Sequence, residues 1–192
     1  MGIADVVARA LPRGFTLIEL MVALAIVALL LLLGMPSFTT FVRNSEIRST
    51  SESIINGLRA ATTEAANRNR PVTFSLQGSG AKWTGWEITY VDDDDKPQTI
   101  QQYFKGEAGA STKVTISQGA ASVIFNGLGR ITNPGTDDHI RTIEIDSIVS
   151  GEARPLRIIV DDPATADPTK PRGLRMCDPD QALADLKDPR AC

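Results

Sequence analysis

The strongest pattern along the chain is an apolar run from Leu20 to Val42 that contains no charged side chain. A helix that crosses a membrane needs about 20 mostly apolar residues, and this run supplies them. One carboxylate, Glu19, stands at its start, and a charge at that depth costs about 3 kcal/mol on insertion scales. The run therefore predicts a membrane-spanning helix whose acidic residue needs a partner.

Helical periodicity continues beyond the run. Apolar residues recur, mostly at spacings of three, four or seven, at Phe38, Phe41, Ile47, Ile54, Leu58, Ala61 and Ala65. Charged residues lie between them over 43–64, as expected of a helix that buries one side. The pattern predicts one long helix from about Phe15 to Asn69, bent or loosened at Gly34 and Pro36. It should end at Arg70-Pro71, since the residue before a proline is pushed out of the helical region.

From Pro71 onward the chain changes to short runs rich in Val, Ile, Thr and aromatic residues, bounded by turn residues. These runs predict strands at Val72–Leu76, Trp86–Val91, Thr99–Phe104, Lys113–Ser117, Ser122–Asn126, Ile140–Asp146 and Leu156–Val160. Asn126–Arg130 reads as a turn. One helix followed by many strands predicts the α+β class, with antiparallel β-structure in two small sheets packed on the apolar side of the helix.

The chain has 192 residues and a formal net charge of −3. That length suits one membrane segment and one modest domain, and the charge disfavours a protein that mainly coats nucleic acid. A cleaved secretory signal is the alternative for the apolar run, but the run is long for one and no A-x-A-like site follows it. Arg9 and Arg13 precede the span, so the positive-inside bias predicts a cytoplasmic N-terminus and a C-terminal domain outside.

The segment around Glu19 carries a family resemblance. A basic leader ends in Gly14 and is followed by Phe15-Thr-Leu-Ile-Glu19 and the unbroken apolar helix. This arrangement resembles the signal of type IV pilins and type II secretion pseudopilins. It implies a prepilin peptidase cut between Gly14 and Phe15, methylation of the new Phe15 amine, and pairing of Glu19 with that amine in a neighbouring subunit. Snorkelling of Glu19 to the interface is the alternative. The implied organisation is leader 1–14, transmembrane and filament-core helix 15–42, amphipathic helix 43–70 and β-rich domain 71–192.

The stretch Asn56–Phe74, an Ala-rich helix that leads through Pro71 into a strand, resembles the GspH/FimT branch of that family. The resemblance implies a type IV pilin-like fold and a structural, FimT/FimU-like minor pilin that primes a type IV pilus or forms its tip. The alternative is a GspH-like minor pseudopilin of a type II secretion system. Implied partners are other minor pilins, the major pilin, the prepilin peptidase and the inner membrane before assembly at the cell surface. No cofactor is implied.

The two cysteines, Cys177 and Cys192, lie close to the C-terminus. Pilins commonly end in a disulfide-bounded loop, and this ending resembles that of FimT/FimU-type proteins. The resemblance therefore implies a disulfide that closes loop 177–192, with two free thiols as the alternative. A bridge across a loop of this size contributes about 3 kcal/mol in the chain-entropy model. Because GspH-type pseudopilins generally lack such a loop, this feature favours the pilus.

DNA binding is a further alternative, because some FimT proteins bind DNA through a C-terminal glycine-arginine motif. Here Lys170, Arg172 and Arg175 surround Gly173 and supply cations for phosphate contacts. Leu174 stands where that motif has its first arginine, and the tail as a whole is acidic. The match is therefore incomplete.

The remaining polar features predict surface structure and no catalytic site. The acidic run Asp92–Asp95 has the ligand type that calcium prefers, but its spacing favours a solvated hairpin tip. His139 follows two aspartates and is expected at the surface. Trp83 and Trp86 are expected to pack on the sheet in preference to stacking on a nucleic base. We predict no enzyme activity and no metal site.

Overall fold

The computed structural model describes residues 14–106, 111–132, 139–149, 153–161, 173–180, 188 and 190–192. The chain divides into two compact units, Met1–Thr39 and Thr40–Cys192, which are described separately. Helix α1 spans Leu17–Arg68 and contributes residues to both. The predicted helix, Phe15 to Asn69, is confirmed to within two residues at each end. The helix continues through Gly34 and Pro36 without a break, and the bend predicted there stays a prediction.

The C-terminus of α1 has a Schellman-type end. The amide of Asn69 donates to the carbonyl of Ala66 and the amide of Arg70 to that of Ala65, at 3.3 Å each. Asn69 has φ 49°, the left-handed conformation that Asn tolerates better than most residues. Pro71 then prevents the helix from continuing, so the chain turns directly into the first strand.

The part of the second unit that the structure describes contains eight strands. They are β1 Val72–Gln77, β2 Gly85–Val91, β3 Pro97–Phe104, β4 Thr112–Gln118, β5 Ser122–Phe125, β6 Thr142–Ser147, β7 Leu156–Val160 and β8 Leu174–Cys177. Two antiparallel sheets result, in the orders β3-β2-β1-β5 and β4-β6-β7-β8. The predicted α+β class with two small antiparallel sheets is confirmed, and β8 has no counterpart among the predicted strands.

One hydrophobic core joins the helix to both sheets. The helix contributes Ile47, Ile54, Leu58, Ala61 and Ala65, all of which were predicted for its apolar side. Phe38 and Phe41 were predicted for the same side, but they are 67 % and 69 % exposed, so the predicted apolar side is too long at its N-terminal end. Ile47 is the first helix residue of the core among the described residues.

Aromatic side chains fill the space between α1 and the first sheet. Trp86 lies 5.7 Å from Phe74 and 5.9 Å from Tyr103 between ring centroids, and its Nε1 donates to Ser53 Oγ on the helix. Gly57 lets the helix approach, because a Cβ there would lie 2.9 Å from Phe74 and 3.0 Å from Trp86. Trp83 and Trp86 are both buried, which confirms sheet packing.

His139 was predicted at the surface, and this prediction is wrong, because it is buried. Its carbonyl accepts a hydrogen bond from the amide of Ala120, and the next amide, Ile140, donates to Ser122. These bonds hold the approach to β6 against the β4–β5 connection. The preceding aspartates suggest a turn, but the long-range backbone pairing that buries His139 has no local signal.

Candidate functional site

The N-terminal segment that carries the signal-like motif forms a capped helix start. The amide of Glu19 donates to Thr16 Oγ1 at 3.3 Å, and Glu19 Oε2 accepts from the amide of Thr16 at 3.5 Å. This reciprocal pair is a capping box, in which two amides without helical partners are satisfied. It gives Glu19 a local role that the sequence analysis missed, although a Thr and a Glu three residues apart before an apolar run is its recognised signature.

The geometry brings the Glu19 carboxylate close to the position where cleavage would create an amine. Glu19 Oε2 lies 3.5 Å from the Thr16 nitrogen, one residue after the nitrogen of Phe15. Phe15 is 84 % exposed, and no atom of the described residues lies within 4 Å of a Cβ built on Gly14. The described part of the chain therefore leaves the Phe15 side of the bond between Gly14 and Phe15 exposed.

The first half of α1 is an exposed apolar surface. Its side chains from Leu17 to Leu33 include many large hydrophobics that are more than half exposed. By length and composition the helix is apolar enough to cross a membrane, and none of its most apolar window is buried inside the chain. Apolar surface on this scale needs lipid or the apolar surfaces of other subunits.

The C-terminal loop is closed covalently. Cys177, the last residue of β8, forms a disulfide with Cys192, as predicted. Asp178 and Ala191 form a parallel bridge beside it, with the Asp178 amide donating to Arg190 at 2.7 Å and the Cys192 amide to Asp178 at 3.0 Å.

An ion pair lies beside this bridge. Arg190 Nη2 lies 2.7 Å from Asp188 Oδ2. The Arg190 side chain, and then its amide, donate hydrogen bonds that lower the pKa of Asp188 to about 2. The loop end is thus held by a covalent bond, backbone hydrogen bonds and a charge pair.

The residues proposed for DNA binding are not brought together among the described residues. Lys170 and Arg172 lie outside them. Arg175 lies on β8 opposite Ile159 and is partly buried, and its Nε atom has no hydrogen-bond partner within the described part of the chain. DNA binding through these three residues stays a prediction.

The acidic run Asp92–Asp95 forms the tip of the β2–β3 hairpin, which confirms the expected position. Asp92 Oδ1 accepts from the amides of Asp94 and Lys96, and Oδ2 accepts from the Gln98 side chain. The hydrogen bond from the Lys96 amide, followed by that from Gln98, holds the pKa of Asp92 below its usual value. The predicted turn Asn126–Arg130 is confirmed as well, with the amide of Asn126 donating to the Arg130 carbonyl at 2.8 Å.

A cavity of about 220 Å³ lies between Thr62 of the helix and residues of both sheets, including Phe125, Ile131 and Leu174. Its lining is mostly apolar, and Asp161 is the one ionisable residue recorded there among the positions that the structure describes. A carboxylate alone does not form a nucleophile–base pair. The described lining of the cavity is therefore that of a gap in the apolar core, with one carboxylate at its edge.

Comparison with known proteins gives two family matches. The family described as type II transport protein GspH matches residues 50–163, more than half of the chain. The prokaryotic N-terminal methylation motif matches residues 10–35. Among solved structures, the chain is similar to the minor pseudopilin EpsH from the type 2 secretion system of Vibrio cholerae. Identity is 14 % and the TM-score 0.48, with 71 % of this chain and 99 % of that chain covered.

Proposed function

Because the chain belongs to the family of the type II transport protein GspH, we propose that it is a minor pseudopilin that acts as a structural subunit of a type II secretion filament. The observation that carries the proposal is the succession, in one chain, of the methylation motif at 10–35 and the GspH family match at 50–163. The sequence features, above all the C-terminal cysteine loop, favoured a FimT/FimU-like minor pilin, with the pseudopilin as the alternative. The family match favours that alternative.

The first step of the proposed mechanism is processing. A prepilin peptidase cuts between Gly14 and Phe15, and the new Phe15 amine is methylated. The exposure of Phe15 supports this step. Before assembly, α1 holds the subunit in the inner membrane with its N-terminus in the cytoplasm and its second unit outside. The apolar helix then moves from lipid to the bundle of subunits.

Processing is tested by Gly14→Trp, expressed with the peptidase and followed by mass spectrometry of the N-terminus. We expect uncut precursor in the membrane, because the bulky side chain occupies the space beside the scissile bond. Gly14→Ala is the matched control, since it adds one carbon in the same place, and it should be cut to a greater extent. Normal processing of Gly14→Trp would refute the proposed cleavage between Gly14 and Phe15.

The second step is registration of the subunit in the filament through Glu19. Its carboxylate caps the amide of Thr16, one residue from the amine that cleavage creates. In the filament we propose that it pairs with the Phe15 amine of a neighbouring subunit, which offsets the cost of a charge at that depth and fixes the axial step.

Two variants separate registration from capping. Thr16→Ala removes the hydroxyl of the capping box and leaves the carboxylate, so it should still enter filaments. Glu19→Gln keeps the shape and removes the charge, so it should be processed and inserted but excluded from filaments. Co-purification with the other subunits measures incorporation. Incorporation of Glu19→Gln at the level of the parent would mean that Glu19 acts only as a helix cap, because a Gln at this position still caps the helix.

A FimT/FimU-like minor pilin is the second candidate, and the disulfide Cys177–Cys192 is the observation that favours it. Pull-down of the intact protein from the membrane, with mass spectrometry of its partners, separates the two. Secretion pseudopilins among the partners support the first proposal. Recovery of pilus subunits alone would replace it with the second.

A further inference from the structure

The cavity between α1 and the two sheets combines a buried inner wall with a partly exposed rim. Its volume is about 220 Å³, and it is partly open to the outside. Phe125, Ile131 and Val160 form the inner wall and belong to the buried core. Thr62 and Asp161 also line the cavity and are half-buried. All of these residues lie in the second unit, so the cavity is a feature of that unit alone.

Two glycines shape the rim. Gly129 has φ 70°, and a Cβ there would lie 2.9 Å from Thr62 Cγ2, so the turn 126–130 lies close to the helix. Gly173 has φ 88°, and a Cβ there would meet no atom of the described residues within 4 Å. Glycine adopts these left-handed conformations without strain. The rim is therefore narrow between the turn and the helix and has free space beside Gly173.

The Asp161 carboxylate is the one charge in the described lining, and it is unpaired. Asp161 directly follows β7 and makes no hydrogen bond or ion pair with the residues that the structure describes. By contrast, Glu144 on the neighbouring strand β6 pairs with Arg157 at 2.6 Å. An unpaired carboxylate beside apolar walls attracts a cation more strongly than one in open water, since the effective dielectric constant is lower there. The cavity therefore offers apolar contact and one negative charge to the same occupant.

We infer that the cavity receives an arginine side chain of a neighbouring filament subunit. The guanidinium lies against the Asp161 carboxylate, to which it can donate two parallel hydrogen bonds, and the methylene stem packs on the apolar inner wall. Arginine fits this site better than lysine, because its guanidinium is more weakly hydrated and loses less on leaving water. The inference rests on the proposed function, since that function supplies the neighbouring subunits.

The size of the cavity fits one side chain. Benzene binds in an apolar cavity of about 150 Å³, and sites for drug-sized ligands have about 300–1,000 Å³. The volume of about 220 Å³ lies between these values. The cavity therefore suits a single long side chain that enters from outside.

The probe is n-propylguanidinium, which is the arginine side chain from Cβ outward, and n-propylurea is its neutral control of similar shape. Each is titrated into the full chain in detergent micelles, and the methyl signals of Thr62, Ile131 and Val160 are followed by nuclear magnetic resonance. Asp161→Asn keeps the shape of the cavity wall and removes its charge. Asp94→Asn is the matched control variant, because it removes an exposed charge at the hairpin tip.

We expect the guanidinium probe to shift the methyl signals with an affinity at least about tenfold above that of the urea, because hydrogen bonds to charged groups are the stronger ones. Asp161→Asn should lose this preference, and Asp94→Asn should keep it. Equal affinity for the two probes, or a preference that survives in Asp161→Asn, would overturn the inference.

The chain itself is the other source of a cation, because residues 162–172 join Asp161 to Gly173 and include Lys170 and Arg172. The titration is therefore repeated on a variant in which a glycine-serine linker replaces residues 163–172. Binding to this variant but not to the parent would overturn the inference in favour of the chain's own segment. Absence of binding to both would overturn it as well.

A charge exchange tests the neighbouring subunit. Asp161→Arg should be processed like the parent, but its co-purification with one other subunit should fall several-fold, and an arginine-to-aspartate change in that subunit should restore it. Parent-level recovery of every subunit with Asp161→Arg, or a loss that no such change restores, would overturn the inference and leave the proposed function intact. Failure of the parent itself to co-purify with filament subunits would instead refute the proposed function.

Discussion

Gly57 is a helical position at which packing against the first sheet leaves little room for a side chain. A Cβ at this helical position would lie 2.9 Å from Phe74 Cε2 and 3.0 Å from two atoms of Trp86. Helix propensity alone predicts that Gly57→Ala stabilises by about 1 kcal/mol. Overpacking against two buried rings costs about 1–3 kcal/mol. Because the rings belong to the core and have little room to move, we expect a net loss of roughly 1 kcal/mol.

Gly57→Val extends the test, because two further methyl groups meet the same rings while the gain in propensity is smaller. We expect a net loss of about 3 kcal/mol, near the upper end for overpacking. Asn56→Ala is the matched control, since Asn56 is the preceding and exposed residue, where propensity acts alone. This variant should gain a few tenths of a kcal/mol.

The assay is urea unfolding of the second unit, residues 40–192, followed by tryptophan fluorescence and far-ultraviolet circular dichroism. Trp83 and Trp86 are both buried, so fluorescence reports directly on this core. With a slope of about 2 kcal/mol per molar urea, the Ala variant should lower the midpoint by about 0.5 M. A Gly57→Ala variant more stable than the parent would refute the close approach of the helix to the aromatic side chains.

Three further predictions concern the core and the C-terminal loop. Leu58→Ala, at a fully buried helix position, should lower the free energy of unfolding by about 2–5 kcal/mol. Leu128→Ala, at an exposed position, should change the free energy of unfolding by less than about 0.5 kcal/mol. Similar losses in the two variants would contradict the described burial. Replacing both Cys177 and Cys192 by Ser should cost about 3 kcal/mol, and a reductant should destabilise the parent to the same extent without affecting the variant. Asp188 has a folded-state pKa of about 2, below its unfolded value of about 3.9, so its contribution to stability is present above that unfolded value and is lost as the pH falls towards 2. The stability difference between the parent and Asp188→Asn, measured by urea unfolding at pH 6 and pH 2, should therefore close at the lower pH, and a constant difference would contradict the ion pair.

The sequence predicts the long helix and most strands because each has its own local periodicity. Seven strands begin within two residues of their predicted starts. Strand β8 was missed because it has four residues and depends on pairing with β7, a partner that local pattern does not reveal. The same limit explains His139, whose burial comes from backbone contacts with the distant segment 119–122.

The site shows the same division between local and long-range information. The motif around Gly14 and Glu19 is local and was identified from adjacent residues. The capping box is local as well, since Thr16 and Glu19 stand three residues apart before the apolar run. Arg175 shows the long-range part, because its partial burial on β8 depends on pairing with β7, which adjacent residues do not reveal.

The contacts between α1 and the first sheet have a mechanical consequence. They extend along the helix from Ser53, bonded to Trp86, through Gly57 to Arg68, which lies 4.6 Å from the Tyr90 ring centroid. Arg70 then pairs with Asp93 at the hairpin tip. A force that pulls the helix lengthwise loads all of these contacts in shear at once, whereas a sideways force would peel them one after another. A lengthwise pull on residues 53–68 of the helix therefore acts in the direction in which the first sheet resists detachment best.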